Sequence, residues 1–248
     1  MLRIIVPVDL TESSSNAARY AADMATALGG EIHLVHAMNL PPDPLQVPIP
    51  DYALDEMRDS SLTFLETLAA DLKKRTNGKL SIGTDLETGD GESSIRAFCR
   101  WKQPFLVVAD DAFQKWAPRW SWPFLRVPAQ AAFHPVENIV VACDREDIHG
   151  VPGVAAGFLG QLRHLLGAHF DIVHFSLPGK AGRESPKPGS GTWIESESVE
   201  EGIRQYLASH HADWVTVFPK KGGSFHHYES LSENLLLECP LSAMAVHE

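Results

Sequence analysis

The sequence predicts an α/β protein made of two related domains, each built on a parallel sheet. An apolar run rich in β-branched residues and ending in aspartate occupies residues 3–9, and a second copy occupies residues 138–144. After each copy, segments with helical spacing of apolar residues alternate with short apolar runs, which is the pattern of parallel strands joined by helices. We therefore assign the two domains to residues 1–132 and 133–248.

The composition limits the classes of protein to which the chain can belong. Its 248 residues carry a formal net charge of -11, whereas proteins that bind the nucleic-acid backbone are normally basic. No apolar run approaches the roughly 20 residues that span a bilayer, and no signal pattern precedes the first strand. Three cysteines without zinc-type spacing favour a reduced, cytoplasmic compartment. We expect no nucleic acid and no membrane among the partners.

The first half is predicted to alternate strands and helices up to an unusual tryptophan-rich segment. The predicted strands are residues 3–9, 32–37, 80–87 and 105–109, and the predicted helices are 17–28, 51–77 and 92–101. Five prolines make residues 39–50 a loop. Residues 110–122 contain three tryptophans and no glycine, and they leave room for only a short helix. Residues 124–127, between two prolines, are predicted to form a brief fifth strand.

The second half repeats this order after a linker at residues 129–136. The predicted strands are residues 138–144, 170–175, 193–194, 214–218 and 241–246, and the predicted helices are 152–166, 199–211 and 226–238. Residues 177–191 are rich in Pro, Gly, Ser and Lys and are predicted to be a loop. The second domain therefore lacks the long second helix of the first. Equivalent positions in the same order support a duplication: Ile4, Val35 and Ile95 correspond to Ile139, Val173 and Ile203.

Each copy of the opening run places an aspartate where a parallel strand ends. Open α/β sheets bind ligands at this carboxyl edge, so Asp9 and Asp144 are two candidate ligand-binding carboxylates. The alternative is that each aspartate only caps the following helix or turn. The residues by themselves leave both interpretations open.

Taken in order, these motifs resemble the universal stress protein family in its tandem two-domain form. The matching features are the strand at residues 4–9, the serine turn at 13–15, the alanine-rich helix ending at Gly29, and the strand ending near His36. Cys239, Pro240 and Leu241 match the start of the family's last strand. The resemblance implies two five-stranded parallel sheets with helices on both faces. It also implies pairing of last strands, as an intramolecular pseudo-dimer or as a homodimer.

By this resemblance, the ligand would be ATP or AMP. Family members that bind these nucleotides use the aspartate ending the first strand and backbone groups ending the second. They also use a glycine-rich loop after the fourth strand, whose N–H groups face the phosphates. The corresponding positions of this sequence are Asp9 and Ala37 in the first domain and Asp144, Phe175, Gly222, Gly223 and Ser224 in the second.

The sequence departs from the family's phosphate loop in both halves. Asp110 and Asp111 stand where the first loop should begin, and two carboxylates there would repel phosphate. The second half keeps Gly222 and Gly223, but Glu233 stands where the family has its third glycine. In the second domain, Asp144 would hold the ribose and Phe175 would flank the base.

These observations lead to two functional hypotheses. The first is a non-enzymatic stress-response or regulatory module with degenerate nucleotide sites, no resident cofactor and partners that are other proteins. The second is an ATP- or AMP-binding switch that uses the second domain. We name no catalytic residue and no metal ligand, because neighbouring histidines on a helix point about 100° apart and no base is placed beside a nucleophile. Trp116, Trp120 and Trp122 are interpreted as packing rather than as a nucleic-acid stacking platform.

Overall fold

The computed structural model describes residues 2–39, 50–144, 153–176, 191–197, 199–218, 239 and 241–246. The chain forms two compact units. The first comprises Met1–Phe113 and Val127–Phe133, and the second comprises Gln114–Arg126 and His134–Glu248. The predicted α/β class is confirmed, because helices alternate with parallel strands in both units.

The first unit contains a sheet of parallel strands in the order β3-β2-β1-β4. Its elements are β1 (Arg3–Pro7), α1 (Glu12–Leu28), β2 (Glu31–Met38), α2 (Asp51–Arg75), β3 (Ser81–Thr88), α3 (Gly91–Lys102) and β4 (Leu106–Ala109). Strand β1 lies between β2 and β4, with Pro7 paired to Val35 and Ile4 paired to Leu106. The central strand is therefore buried from Ile4 onward, as its β-branched composition predicts.

Helix α1 ends where the sequence predicts, but it begins at Glu12, five residues before the predicted start at residue 17. The Thr11 side chain accepts a hydrogen bond from the Ser14 N–H and caps the first turn. Gly29 ends the helix in the left-handed conformation, with φ of 69°. The alanines between these residues face the core and permit close packing on the sheet. The buried ones are Ala17, Ala18, Ala21, Ala22 and Ala25.

The second unit contains strands in the order β5-β10-β9-β6-β7-β8. Its described elements are β5 (Phe124–Arg126), β6 (Asn138–Asp144), α4 (Gly153–Leu166), β7 (His169–Ser176), β8 (Thr192–Glu195), α5 (Val199–Ser209), β9 (Trp214–Val217) and β10 (Ser242–Ala245). Strand β5 pairs antiparallel with β10, whereas the other described strand pairs of this unit are parallel. The residual third strand predicted at Trp193 is confirmed as β8.

Two further features differ from the sequence prediction, and two predicted segments fall largely or entirely outside the described residues. Strand β1 ends at Pro7, so Asp9 lies two residues past the strand rather than inside it. The short helix predicted after β4 is a 3₁₀-helix (Asp111–Arg119). The predicted loop at 177–191, on which the missing helix depends, falls outside the described residues except for its last residue, and the predicted helix at 226–238 falls outside them entirely.

Candidate functional site

The carboxyl ends of β1, β2 and β4 bring two predicted binding positions and the acidic residue after β4 to one edge of the first unit. Asp9 follows β1, Ala37 lies near the end of β2, and Asp110 follows β4 directly. The Asp9 and Asp110 carboxyl groups are near enough for their charges to interact. Ala37 is 7% exposed and its backbone pairs with Glu87 of β3. The structure therefore places Asp9 and Ala37, the two candidate residues of the first domain, at the same edge as Asp110.

The Asp9 carboxylate organises the turn into α1. Its Oδ1 atom accepts hydrogen bonds from the Thr11 hydroxyl at 2.6 Å and from the Thr11 N–H at 3.2 Å. The Asp9 N–H in turn donates to the Ser14 hydroxyl at 3.3 Å. Leu10, between the two, has a φ of 65°, which is a strained conformation for a side chain of this size. These contacts are those of the capping alternative that the sequence left open.

The Asp110 carboxyl group fills the space beside the start of α1. Asp110 is 2% exposed, and it accepts hydrogen bonds from the Ala112 N–H at 3.2 Å and from the Ser13 hydroxyl. Burial raises the pKa of Asp110, and the neighbouring charges of Asp9 and Asp111 raise it further. The two hydrogen bonds lower this pKa and offset part of the shift. The sequence indicated acidic residues here but gave no signal of the bond to Ser13.

In this arrangement, the first edge has few groups that could bind a phosphate. The amino terminus of a helix normally favours an anion, and here the protein's own carboxyl groups lie beside it. In place of a glycine-rich loop, the chain after β4 forms the 3₁₀-helix that begins at Asp111. A bound triphosphate would meet Asp9, Asp110 and Asp111 at short range, and like charges repel strongly where water is excluded.

In the second unit, two predicted residues lie opposite each other at the matching edge. Asp144 is the last residue of β6 and pairs with Phe175 of β7. Phe175 is 3% exposed, and Gly202 of α5 lies against its ring: a Cβ atom added at Gly202 would come within 2.4 Å of the ring. The Phe175 side chain therefore belongs to the core. The Asp144 side chain lies outside the described residues, as do Gly222, Gly223 and Ser224.

Comparison with known proteins agrees with this fold. Residues 1–109, which end at the last residue of β4, match the model of the universal stress protein family. This segment, which is less than half of the chain, is therefore similar to the universal stress protein family. No curated protein sequence matches the chain.

Solved structures extend the likeness to the whole chain at the level of fold. A universal stress protein from Archaeoglobus fulgidus DSM 4304 aligns with a TM-score of 0.70 over 99% of this chain and 96% of that chain, at 16% identity. A candidate universal stress protein from Pseudomonas aeruginosa UCBPP-PA14 aligns with a TM-score of 0.58 over 99% and 92%, at 15% identity. An Arabidopsis thaliana family protein with AMP bound reaches only 0.38 over 53% and 94%, at 13% identity, which is too distant to transfer a ligand.

The tryptophan cluster after the universal stress protein segment is a packed core. Trp120 is fully buried, and its ring centroid lies 5.7 Å from that of Trp116, 6.2 Å from that of Trp122 and 6.1 Å from that of Phe124. A stacking platform for nucleic-acid bases needs exposed aromatic faces, and the central ring offers none. The geometry therefore favours the packing interpretation within the second unit.

The described cysteine thiols and metal-ligating side chains form no reactive group. Burial raises the pKa of the Cys99 thiol to about 12 and also raises the pKa of Cys239. Both thiols are therefore protonated and unreactive near neutral pH. Among the residues the structure describes, no three His, Cys, Asp or Glu side chains are grouped so as to hold a metal ion. The same residues contain no helix long and apolar enough to cross a membrane.

Proposed function

We propose that this universal stress protein is a non-enzymatic regulatory module of the stress response whose first nucleotide site is degenerate. The observation that carries the proposal is the Asp9–Asp110 pair at the carboxyl edge of the first sheet. Its hydrogen bonds from Thr11, Ser13 and Ala112 make it part of the fold rather than a ligand site. A module of this kind acts by binding other proteins and holds no cofactor in its first domain.

The lack of a reactive constellation at this edge supports a non-enzymatic role. Catalysis of phosphoryl transfer needs groups that hold the phosphates and neutralise their charge, together with a positioned nucleophile. The described edge supplies carboxylates that already accept hydrogen bonds from hydroxyl groups of the protein: Asp9 accepts from Thr11, and Asp110 accepts from Ser13. It contributes negative charge where positive charge is required.

The direct test is calorimetric titration of the purified chain with ATP and with AMP, with and without magnesium, after absorbance has excluded co-purified nucleotide. We expect no binding at the first unit, so that any heat corresponds to at most one site per chain. The variant Asp9→Ala should leave that heat unchanged, because the Asp9 carboxylate holds the turn at Thr11 and not a ligand. Two sites per chain, or loss of binding in Asp9→Ala with circular dichroism unchanged, would refute the proposal.

A second candidate function is an ATP- or AMP-binding switch in the second unit. Its support is the register that brings Asp144 and Phe175 together at the carboxyl edge, where β6 also pairs with β9. Gly222, Gly223 and Ser224 follow β9 in the sequence, as a phosphate loop would. Here Asp144 would hold the ribose and the backbone at Phe175 would approach the base.

Gly223→Asp tests this switch, because a carboxylate in the loop would repel phosphate. We expect it to abolish any ATP binding while the far-ultraviolet circular dichroism spectrum stays the same. Gly157→Asp in α4 is the matched control, since Gly157 is exposed and an added Cβ there would meet no atom within 4 Å. If Gly223→Asp binds ATP as tightly as the parent chain, the loop is not the phosphate site.

A further inference from the structure

Helix α2 is packed against its sheet over only part of its length. Its 25 residues include five buried ones, and all five lie from Ser61 onward: Ser61, Leu65, Leu68, Ala69 and Leu72. None of residues 51–60 is buried. Strand β3 is also poorly covered, because none of its eight residues is buried. The first ten residues of α2 therefore stand away from β3 rather than covering it.

A cleft of about 590 Å³ lies between this part of α2 and β3. This volume is in the range of small-molecule sites, which run from roughly 300 to 1,000 Å³. The apolar part of its lining consists of Met38, Leu54, Leu62 and Leu86. Thr84, Leu86 and Thr88 alternate along β3 and so point to the same face of the sheet. Three of the four apolar side chains are only half-buried, so an apolar group bound here would remove them from water.

Two opposite charges of α2 also line this cleft. Asp55 and Arg58 are three positions apart on the helix and therefore lie on the same face. In the described part of the chain, neither makes an ion pair within 4.0 Å, either with the other or with a third residue. Asp85, which also lines the cleft, instead has a contact of 3.3 Å with the His33 ring. Besides Asp85, the cleft thus offers one cation and one carboxylate that have no ion-pair partner among the described residues.

We propose that this cleft binds a small zwitterion with an apolar side chain, of the class of the apolar α-amino acids. The ligand carboxylate pairs with the Arg58 guanidinium, which matches a carboxylate with two parallel hydrogen bonds. The ligand ammonium group pairs with Asp55, and its side chain lies on Leu54, Leu62 and Leu86. The inference is independent of the proposed function, since the cleft shares no lining residue with the edge that holds Asp9 and Asp110.

The test is calorimetric titration of the full chain with L-leucine, 4-methylvalerate and isoamylamine. The two analogues keep the branched side chain, but the first lacks the ammonium group and the second lacks the carboxylate. We expect leucine to bind with a micromolar to low-millimolar dissociation constant. Each analogue should bind about tenfold more weakly, because each leaves one charged group of the cleft without its partner. Equal affinity of the analogues and leucine, or no heat from leucine, would overturn the assignment.

Variants of the two charged residues locate the site. Arg58→Gln and Asp55→Asn should each weaken leucine binding about tenfold, and their folding should be unchanged because both side chains are exposed. Lys73→Gln and Glu66→Gln are matched controls, since they remove the same kinds of charge from exposed positions of α2 outside the cleft. Leucine binding that survives Arg58→Gln and Asp55→Asn intact would place the ligand elsewhere and refute the proposal.

Discussion

Asp110 shows how a residue that could serve a ligand is instead used by the fold. It is buried, it lies beside Asp9, and within the described residues its carboxyl group accepts hydrogen bonds from Ser13 and the Ala112 backbone. Removal of a carboxylate from water disfavours its charged form, and a nearby like charge has the same effect. The raised pKa of Asp110 is the sum of these effects. Ionisation of Asp110 therefore destabilises the first unit.

The variant Asp110→Asn should stabilise the protein near neutral pH. The folded state holds the Asp110 proton more tightly than the unfolded chain, whose aspartates titrate near 3.8. The stability contributed by this group is thus present in acid and declines as the pH rises through its raised folded pKa. Asparagine keeps the size and the acceptor oxygen without the charge. We expect a higher free energy of unfolding than in the parent chain, with a difference that grows with pH.

Urea denaturation at several pH values between about pH 4 and pH 7 measures this difference. Asp59→Asn is the control, since Asp59 is exposed on α2 and its charge lies in water. If Asp110→Asn is less stable than the parent at neutral pH, the ionised carboxylate is required by its neighbours, and a bound cation would have to be sought there.

Residue positions could be predicted where a single element determines them, but contacts between distant residues could not. Asp9 and Asp144 could be identified as candidate ligand-binding residues because each ends an apolar run. Ala37 could be identified because it ends the next apolar run after Asp9. The bond between Ser13 and Asp110 joins residues that are almost a hundred positions apart, so no local pattern reports it. The burial of Phe175 depends on the absence of a side chain at Gly202, which is equally invisible in sequence.

At the scale of elements, Asp213 joins the starts of two neighbouring strands in the second unit. Its Oδ2 atom accepts hydrogen bonds from the Glu137 N–H at 2.7 Å and the Asn138 N–H at 2.9 Å. The Asp213 N–H donates to the Asn138 carbonyl at 2.9 Å. His134 and His211 contact the other carboxylate oxygen at 3.6 and 3.3 Å. One buried carboxylate therefore fixes where β6 begins beside β9.

Asp213→Ala should destabilise the second unit by about 3 kcal/mol, because it leaves two backbone N–H groups of the β6 start without their acceptor. Chemical denaturation followed by circular dichroism measures the loss. Glu197→Ala is the matched control, because Glu197 is exposed in the same unit, and it should change stability by less than about 0.5 kcal/mol. A loss in Asp213→Ala no greater than in the control would mean that water replaces the carboxylate.

Helices and central strands could be predicted from the sequence because their signals are local. From the alanine-rich pattern, Gly29 and the apolar runs, the sequence predicted the bounds of α1, β1 and β2 to within five residues. Strand β5 was also predicted, but its direction relative to β10 was not a property of its three residues. The direction of pairing depends on strands that are more than a hundred residues apart in the chain. The family resemblance implied that last strands pair, but it did not supply the direction.

At the scale of the whole molecule, the duplicated pattern gives the chain two last strands, β5 and β10. In the second unit β10 has a neighbour on each side, since it pairs with β9 in parallel and with β5 in the antiparallel direction. Among the other described edge strands, β3 carries Asp85 and Glu87, and β8 has four residues and ends in Glu195. Short or charged edge strands resist pairing with a second chain.

We therefore propose that last-strand pairing takes place within the chain, as an intramolecular pseudo-dimer, and that the protein is a monomer. Light scattering after size-exclusion chromatography should give a mass near 27.3 kDa that does not change with concentration. Leu125→Pro places a residue without an N–H group in the middle of β5 and should free the edge of β10, so that this variant dimerises or aggregates. Val154→Pro in the first turn of α4 is a proline control that leaves β5 intact. A parent chain of twice the monomer mass would show that another surface makes a homodimer.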